Sequence, residues 1–306
     1  MTLIAEVGEN IFEIKPAGNA LEIFPLCTVY LVVGDEAALM ETGLSVQAPD
    51  VLQALRTLNY DIRKLSYIIP THVHPDHAGA AWLLARKLPQ AKLVAHSRAV
   101  KVLTDPSILD RLMQGFRRVF GNDAQERFGE MLPIAKEKFV LVEDGESIAL
   151  GGRELQAIHT PGHDPNHLCF FDTKSRGMFC GDALGGYCAE LGITLPAIAP
   201  GSDPFLILKS IDKLRKLDPA LLFFSHGGTS SDVTQIMNKF AKNTRECTRI
   251  ALNALETGEA PEKIADMLAG VLVKDTRLTK KEYLASSRYF RTLMIEGYRQ
   301  YFNKKI

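Results

Sequence analysis

Three histidines and an aspartate lie close together in the sequence HVHPDH at positions 72–77. Imidazole nitrogen and carboxylate oxygen are ligands that zinc, iron and manganese accept in proteins. Because alternate side chains of an extended segment lie on one face, His72 and His74 can point at the same ion. The turn at the proline lets Asp76 and His77 reach a second ion. The spacing therefore predicts a metal site with ligands for two ions.

Three further residues of the same ligand types follow segments that we expect to be strands. His163 comes after the turn sequence TPG at 160–162, Asp182 follows the sequence CG, and His226 follows a serine. The end of a strand is a common place for functional side chains, because the scaffold holds them rigidly. Four such places with one ligand chemistry indicate a metal centre more strongly than any one of them alone.

The segments that carry these residues alternate between strand and helix patterns. Short apolar, β-branched segments bounded by glycine and proline predict strands, and apolar residues at helical spacing predict helices, one of them beginning at Pro49. This order gives two successive halves, each of strands followed by helices, and it predicts an α/β fold with a four-layer αββα sandwich. The predicted strands are residues 27–33, 37–40, 65–69, 92–95, several over 139–158, 167–171, 177–180 and 221–224; the predicted helices include 78–88, 105–132 and 204–217.

We expect a catalytic domain over residues 1–229, with a helical insertion at about 103–135, followed by a C-terminal helical region over residues 230–306. Ser230 or Ser231 is the expected cap of the first helix of this tail.

Later in the tail, Pro261 is expected in the first turn of a helix, and Thr279 with Glu282 form a capping box. Each predicted helix of the tail has an apolar face that must be buried. We expect these faces to close the mouth of the pocket, with a homodimer contact or ordinary packing on the sandwich as the alternatives.

The composition narrows the class of protein. The 36 Lys+Arg balance the 36 Asp+Glu, whereas proteins that bind nucleic acid through its phosphates usually have a basic excess. The five cysteines form no CxxC pair and are odd in number, which predicts free thiols in a reducing compartment. The N-terminus has no signal-peptide pattern, and no apolar run reaches the roughly 20 residues that span a bilayer. We expect a cytoplasmic protein that acts on a small molecule and binds neither nucleic acid nor membrane.

The order of these motifs resembles the metallo-β-lactamase superfamily from about residue 10 to about residue 230. The resemblance implies two divalent ions roughly 3.5–4 Å apart, with zinc expected first and iron or manganese as alternatives. It implies a hydrolase in which a hydroxide shared by the ions attacks a small ester or thioester, with Asp76 and Asp182 as the catalytic carboxylates and Asp76 relaying a proton. The implied ligands are His72, His74 and His163 for the first ion, Asp76, His77 and His226 for the second, and Asp182 between the two.

The closer likeness is to particular branches of that superfamily. The histidine at position 77 resembles the pattern of the glyoxalase II, lactonase and thioesterase branches, which have histidine at the matching position of the motif. The sequences TPGHDPNH at 160–167 and GDALG at 181–185, with the helical insertion and tail, resemble uncharacterised bacterial hydrolases related to the quinolone-signal response thioesterase. Glu41 stands where the superfamily usually has aspartate, so we expect rearranged hydrogen bonds around His72 or His74.

Other functions stay open on the same site. Lactones and phosphodiesters are alternative substrates, although no tyrosine stands three residues after Asp182 as in the signal-lactone lactonases. Iron-dependent oxidoreduction is a second class, but sulfur dioxygenases of this fold use only the first ion and flavodiiron enzymes carry a flavodoxin module. A binding protein on a silent site is a third class, and the retention of every ligand disfavours it.

Several other residues attract attention near these motifs. His96 and His159 are expected to be structural or to support the metal ligands from outside the site, and His167 is open between a structural and a substrate-facing role. Tyr187, Cys188 and Glu190 are expected either to line the pocket or to lie in a solvated loop. The apolar stripe of Phe116 and Phe120 is expected to belong to the core.

Overall fold

The computed structural model describes residues 2–17, 20–21, 24–25 and 27–304, so the outermost ends of the two predicted domains lie outside the described residues. The strands are β1 (Leu3–Gly8), β2 (Ile11–Lys15), β3 (Ala20–Leu21), β4 (Phe24–Pro25), β5 (Val29–Val33), β6 (Ala37–Met40), β7 (Leu65–Ile69), β8 (Lys92–Ala95), β9 (Phe139–Leu141), β10 (Ser147–Ala149), β11 (Glu154–His159), β12 (Leu168–Asp172), β13 (Gly177–Phe179), β14 (Gly186–Cys188), β15 (Ile193–Leu195), β16 (Leu221–Phe223) and β17 (Thr229–Ser230). The α-helices are α1 (Ala48–Thr57), α2 (Pro75–Ala78), α3 (Ala81–Lys87), α4 (Ser97–Thr104), α5 (Pro106–Phe120), α6 (Ala124–Phe128), α7 (Pro204–Arg215), α8 (Val233–Glu256), α9 (Pro261–Leu272), α10 (Lys280–Ala285) and α11 (Arg288–Asn303).

Two large sheets form the centre of the fold. The first has seven strands in the order β1-β2-β5-β6-β7-β8-β9, and the second has six in the order β10-β11-β12-β13-β16-β17. Strands β6 to β9 are parallel, and β13 is parallel to β16. Strand β12 is antiparallel to both β11 and β13, so β11, β13 and β16 end at the same edge of the second sheet.

The central strands of the first sheet are buried on both faces. Along β5, Tyr30 and Val32 point into a cluster shared with the second sheet, whereas Val29 and Leu31 join a cluster with helices α1 and α3. Alternate side chains of a strand lie on opposite faces, so an uninterrupted apolar strand of this kind belongs between two apolar layers.

The second sheet is covered on its outer face by α7, α8 and the tail helices. Leu222 of β16 shares one apolar cluster with Ile211 of α7 and with tail residues such as Leu268 and Tyr298. The layers are therefore helix, sheet, sheet and helix, which confirms the predicted αββα sandwich with C-terminal helices. The tail is part of its core.

The helix boundaries follow local signals, with one correction. Asp105 caps α5, and its carboxylate accepts hydrogen bonds from the backbone N–H groups of Ser107 and Ile108. The predictions for Pro261, Thr279 and Glu282 are also confirmed.

The expected cap of the first tail helix was wrong, because Asp232 occupies the N-cap of α8. Ser230 belongs to β17, where it pairs with Leu222, and its extended backbone places it outside the helix. Within the described ranges, none of the helices combines the length and the apolar character needed to cross a bilayer.

Candidate metal centre

The residues expected as ligands all follow strands that end at one edge of the sandwich. His72, His74, Asp76 and His77 follow β7 of the first sheet, whereas His163 follows β11 of the second. Asp182 follows β13 and His226 follows β16, in the same second sheet. The structure thus brings the seven side chains together from both sheets.

The first cluster contains three imidazoles and one carboxylate. His72 Nε2 and His163 Nε2 each lie 2.9 Å from His74 Nδ1, and Asp182 Oδ2 lies 3.2 Å from His163 Nε2. One ligand atom from each of the four residues falls within 4.8 Å of all the others. A single ion can therefore be reached by all four side chains.

The second cluster lies beside the first and contains Asp76, His77 and His226. The Nε2 atoms of His77 and His226 are 3.1 Å apart. Asp76 Oδ2 is 3.4 Å from His226 Nε2 and 3.8 Å from His77 Nε2.

Asp182 lies between the two clusters. Its Oδ2 faces His163, whereas its Oδ1 is 3.5 Å from His77 Nε2 and 3.3 Å from His226 Nε2. Oδ1 is buried and accepts no hydrogen bond from any described residue. A buried carboxylate oxygen that lacks a donor is costly unless a cation balances it, so this atom fits a position between two ions.

A tight turn and a buried imidazole fix Asp182. Gly181 has φ 47°, and a Cβ there would meet His167 Nε2 at 2.4 Å, so only glycine fits this position without a shift. His167 Nε2 accepts the backbone N–H of Asp182 at 2.9 Å, and its Nδ1 lies 2.8 Å from Thr160 Oγ1. His167 is fully buried. Of the two roles predicted for it, the structure therefore supports the structural one, in which it positions Asp182.

Glu41 organises the second cluster. Its Oε1 accepts hydrogen bonds from the hydroxyls of Thr71 and Ser225 and lies 3.0 Å from His77 Nδ1. The Thr71 hydroxyl, 3.1 Å from His72 Nδ1, extends this network to His72. The expectation of rearranged bonding around His72 or His74 was therefore incomplete, because the direct contact of Glu41 is with His77.

The other ring nitrogens also have partners outside the clusters. His163 Nδ1 donates to the Ala197 carbonyl at 2.7 Å, and His74 Nε2 lies 3.7 Å from Asp164 Oδ2. Because a neutral imidazole carries one N–H, an outward-facing N–H leaves a lone pair facing the cluster. Thr71 and Asp164 were missed as supporting residues, although each lies next to an expected ligand in the sequence.

Burial and neighbouring charges set the ionisation of the site. Burial lowers the pKa of His72 well below its usual value and that of His74 to about 4. Burial also lowers the pKa of His77, but nearby carboxylates, Glu41 first, outweigh it and raise that pKa well above its usual value. Burial raises the pKa of Asp182, but the surrounding imidazoles hold it well below its usual range.

These donors fit divalent cations. In the first cluster, the lowered pKa values of His72, His74 and Asp182 favour the neutral imidazole and the ionised carboxylate that bind metal, whereas His77 in the second cluster must release a proton. In the first cluster, imidazole lone pairs that face each other at 2.9 Å cannot bond to one another, but they can share an ion. The His/Asp set is therefore a site that could hold metal.

The remaining histidines lie outside both clusters, as expected. His96 caps α4 by accepting the backbone N–H of Arg98, and its Nε2 lies 3.0 Å from a carboxylate oxygen of Glu143. His159 stacks on His96 with ring centroids 4.6 Å apart.

The segment after Asp182 is ordered as a hairpin. Strands β14 and β15 pair there, so Tyr187 and Cys188 are half-buried in a strand, whereas Glu190 lies in the exposed turn as the solvated-loop alternative predicted. None of these three residues lines the cavity, so the pocket-wall alternative is wrong for all of them. Tyr187 packs on Phe224, with ring centroids 5.0 Å apart. In the described part of the chain, only Gly186 of β14 lines the cavity above the clusters.

A cavity of about 330 Å³ opens from the clusters. Its floor contains His74, Asp76, His163, Asp182 and His226. Its walls come from α5, α6 and α11 and from residues 195–200. This volume lies at the lower end of the roughly 300–1,000 Å³ that is typical of small-molecule sites.

Helices α5 and α11 both contribute side chains to the walls of the cavity. Phe116 and Phe120 line the cavity, so the expectation that they are plain core was wrong. Helix α11 of the tail lies at the cavity, as predicted. Tyr289 and Leu293 line the cavity, and the ring centroids of Tyr289 and Phe120 are 5.2 Å apart. A Cβ on Gly297 would meet the Ala199 carbonyl at 2.6 Å, so this glycine allows α11 to approach the cavity loop closely.

Comparison with known proteins gives the same architecture. A family model described as the metallo-beta-lactamase superfamily matches residues 24–226. The chain is 29% identical over 269 residues to the metallo-beta-lactamase fold-containing protein ST1585 of Sulfurisphaera tokodaii, which covers 87% of this chain and 96% of that protein. The crystal structure of ST1585 from Sulfolobus tokodaii matches 76% of this chain and 85% of that chain, with a TM-score of 0.64.

Two further proteins extend the comparison. The metallo-beta-lactamase family protein TTHA1429 from Thermus thermophilus has the same fold, with a TM-score of 0.68, 20% identity and coverage of 97% of this chain and 94% of that chain. The human acyl-coenzyme A thioesterase MBLAC2 is 27% identical over 196 residues, which are 58% of this chain and 64% of that protein.

The family match covers more than half of the chain and ends at His226, the last residue of the two clusters. Fold, ligand chemistry and sequence similarity therefore agree. The chain belongs to the metallo-beta-lactamase superfamily and is a metal-dependent hydrolase.

Proposed function

We propose that this hydrolase uses two metal ions to cleave a small carboxylic ester or thioester. The observation that carries the proposal is Asp182, whose two oxygens face two separate ligand clusters. Both clusters contribute to the floor of one cavity with largely apolar walls, where a carbonyl group attached to an apolar chain can be placed against them.

The proposed ligand sets follow the two clusters. When bound, divalent ions supply Lewis acidity and lower the pKa of water from 15.7 towards about 7. Zinc is proposed first, with iron or manganese as alternatives, because histidine and carboxylate sites accept all three. The residues that would hold the first ion are His72, His74 and His163, those for the second are Asp76, His77 and His226, and Asp182 would hold both.

Asp76 is proposed to move the proton in the reaction. The oxygen of water bonds to the carbonyl carbon, the carbon–sulfur or carbon–oxygen bond breaks, and the thiol or alcohol leaves with a proton. The Asp76 side chain is 27% exposed on the cavity floor, so it can carry a proton between the site and the leaving group. Asp182 is more buried and is proposed to hold the ions in place.

The apolar walls support a thioester or ester of an apolar acid as the substrate class. The human relative named acyl-coenzyme A thioesterase gives additional support. We keep the cytoplasm as the expected compartment, because all five cysteines are free thiols. The homodimer stays a prediction.

The test combines metal analysis with substrate screening. We expect close to two equivalents of zinc, iron or manganese in protein purified without chelators, and hydrolysis of acyl thioesters or aryl esters in preference to lactones and phosphodiesters. Asp182→Ala should lose metal and activity together, because the ions then repel each other without the carboxylate between them. His159→Ala is the control and should lose less than about tenfold in activity. Full activity in metal-free protein, or equal losses in both variants, would contradict the proposal.

A further inference from the structure

The walls of the cavity contain one feature that the clusters do not explain. Apart from the cluster residues on the floor, the lining within the described ranges is apolar, aromatic or glycine, with the single exception of Arg111 on α5. Arg111 is exposed at the start of the cavity wall, before Leu112, Gly115 and Phe116. The cavity therefore has one exposed cationic side chain among its apolar lining residues.

The Arg111 guanidinium makes neither a hydrogen bond nor an ion pair with any described residue, although it interacts electrostatically with the Asp105 carboxylate at the start of α5. Arg117 on the same helix behaves differently, because its guanidinium pairs with Asp110 and Gln125. A guanidinium has five N–H donors in a planar fork that matches a carboxylate or a phosphate. At the edge of an apolar cavity, Arg111 is thus available to an anionic group of a bound molecule.

Gly115 lies one helical turn after Arg111 and lines the same cavity. A glycine inside a helix is unfavourable relative to alanine, and tight packing is the usual reason to keep one. Packing does not apply here, because a Cβ at Gly115 would meet no heavy atom within 4 Å. The missing side chain leaves open space beside the wall that α5 contributes to the cavity.

We propose that the substrate is an amphipathic ester or thioester whose apolar chain lies along α5 past Gly115. Its anionic group, a carboxylate or a phosphate, binds the guanidinium of Arg111 at the cavity mouth. Arg111 and Gly115 are then specificity-determining residues, for charge and for chain length. This inference rests on the proposed function, because the scissile carbonyl is placed at the clusters.

The charge test uses three thioesters with chains of equal length. Hexanoyl-N-acetylcysteamine is neutral, adipoyl-N-acetylcysteamine carries a carboxylate at the far end of the acyl chain, and hexanoyl-coenzyme A carries phosphates on the leaving group. We expect the wild type to prefer at least one anionic thioester by about tenfold or more in kcat/KM, as charge-assisted hydrogen bonds allow. Arg111→Gln should remove this preference while leaving the neutral thioester within about threefold. Arg118→Gln is the control, since Arg118 is exposed on the same helix but outside the lining.

The three thioesters also identify the source of the anion. If the wild type prefers adipoyl-N-acetylcysteamine and Arg111→Gln removes that preference, the anion that binds Arg111 is a carboxylate on the acyl chain. If the same holds for hexanoyl-coenzyme A, the anion is a phosphate on the leaving group. Hydrolysis by the wild type without a charge preference, or an equal loss on all three thioesters in Arg111→Gln, would overturn the inference alone. Hydrolysis of none by the metal-loaded wild type would overturn the proposed function and the inference with it.

The length test uses a matched pair of glycines. Gly270 of α9 also has open space at the Cβ position, but it lies outside the cavity. Gly115→Leu should lower kcat/KM by about tenfold for the six-carbon thioester that the wild type prefers, and it should leave kcat/KM for the acetyl thioester within about twofold. Gly270→Leu should change neither value. Circular dichroism confirms that both variants fold. If the two variants have the same effect on the long chain, Gly115 does not set the chain length.

Discussion

At the level of single residues, the site depends on contacts that orient each ligand. His77 is held by Glu41, His163 by the Ala197 carbonyl, and the backbone of Asp182 by His167. In the two imidazoles the contact occupies Nδ1, so Nε2 faces the cluster, and the bond to His167 fixes the backbone from which the Asp182 carboxylate projects. Such supporting contacts typically change metal affinity or activity by roughly 10–100-fold when they are removed.

Glu41→Gln tests this support at the residue with the most contacts. Oε1 of Glu41 accepts from two hydroxyls and lies beside His77 Nδ1, so an amide lacks the charge that holds the imidazole. We expect a roughly 10–100-fold weaker affinity for the second ion and a smaller change for the first, measured by metal titration. Thr71→Ser keeps the hydroxyl and serves as the control. An equal loss at both ions would show that Glu41 supports the whole site.

At the level of elements, the tail helices have two separate tasks. Tyr283 and Tyr298 are fully buried in the cluster that covers the second sheet. Tyr289 and Leu293, on the first half of α11, line the cavity instead. Truncating the tail would therefore remove core packing and cavity wall together, so single substitutions on α11 are the sharper experiment.

Two tyrosines of α11 form a matched pair. Tyr289→Ala should raise KM severalfold, because it opens the wall beside Phe120, and should keep metal content unchanged. Tyr298→Ala should lower the free energy of unfolding by about 3–5 kcal/mol, as is typical for a buried aromatic residue, with little effect on KM in the folded fraction. Steady-state kinetics and urea unfolding measure the two effects. A large loss of stability in Tyr289→Ala with unchanged KM would assign this part of α11 to the core.

At the level of the whole molecule, the clusters connect the two sheets. His72, His74, Asp76 and His77 follow a strand of the first sheet, and the other ligands follow strands of the second. Bound ions would therefore stabilise the folded state by an amount that depends on their free concentration.

Metal removal tests this connection. An ion present at 100 times its Kd contributes about 2.7 kcal/mol, and for a chain of this size we expect a chelator to lower Tm by roughly 5 °C or more. Asp182→Ala should show a smaller shift, because it binds less metal before the chelator is added. Metal loss without a change in Tm would mean that the ions do not join the sheets. Differential scanning fluorimetry with parallel elemental analysis gives the answer.

The sequence by itself determined the features that depend on local order. The HVHPDH spacing, the ligand types after three later strands and the strand and helix periodicities predicted the αββα sandwich and the residues that meet at its edge. These signals are local, because side-chain direction repeats every two residues in a strand and about every 3.6 residues in a helix.

Only the tertiary structure decided which residues support the site and which form its walls. Phe116 and Phe120 were expected in the core because an apolar helical face gives the same pattern whether it meets a core or a cavity. His167 was open for a similar reason, since a histidine beside a ligand can orient backbone or face substrate. Arg111 carried no local signal at all. Its place at the mouth depends on α5 and α11 meeting over clusters that begin far away along the chain, and distances of that kind are set by packing.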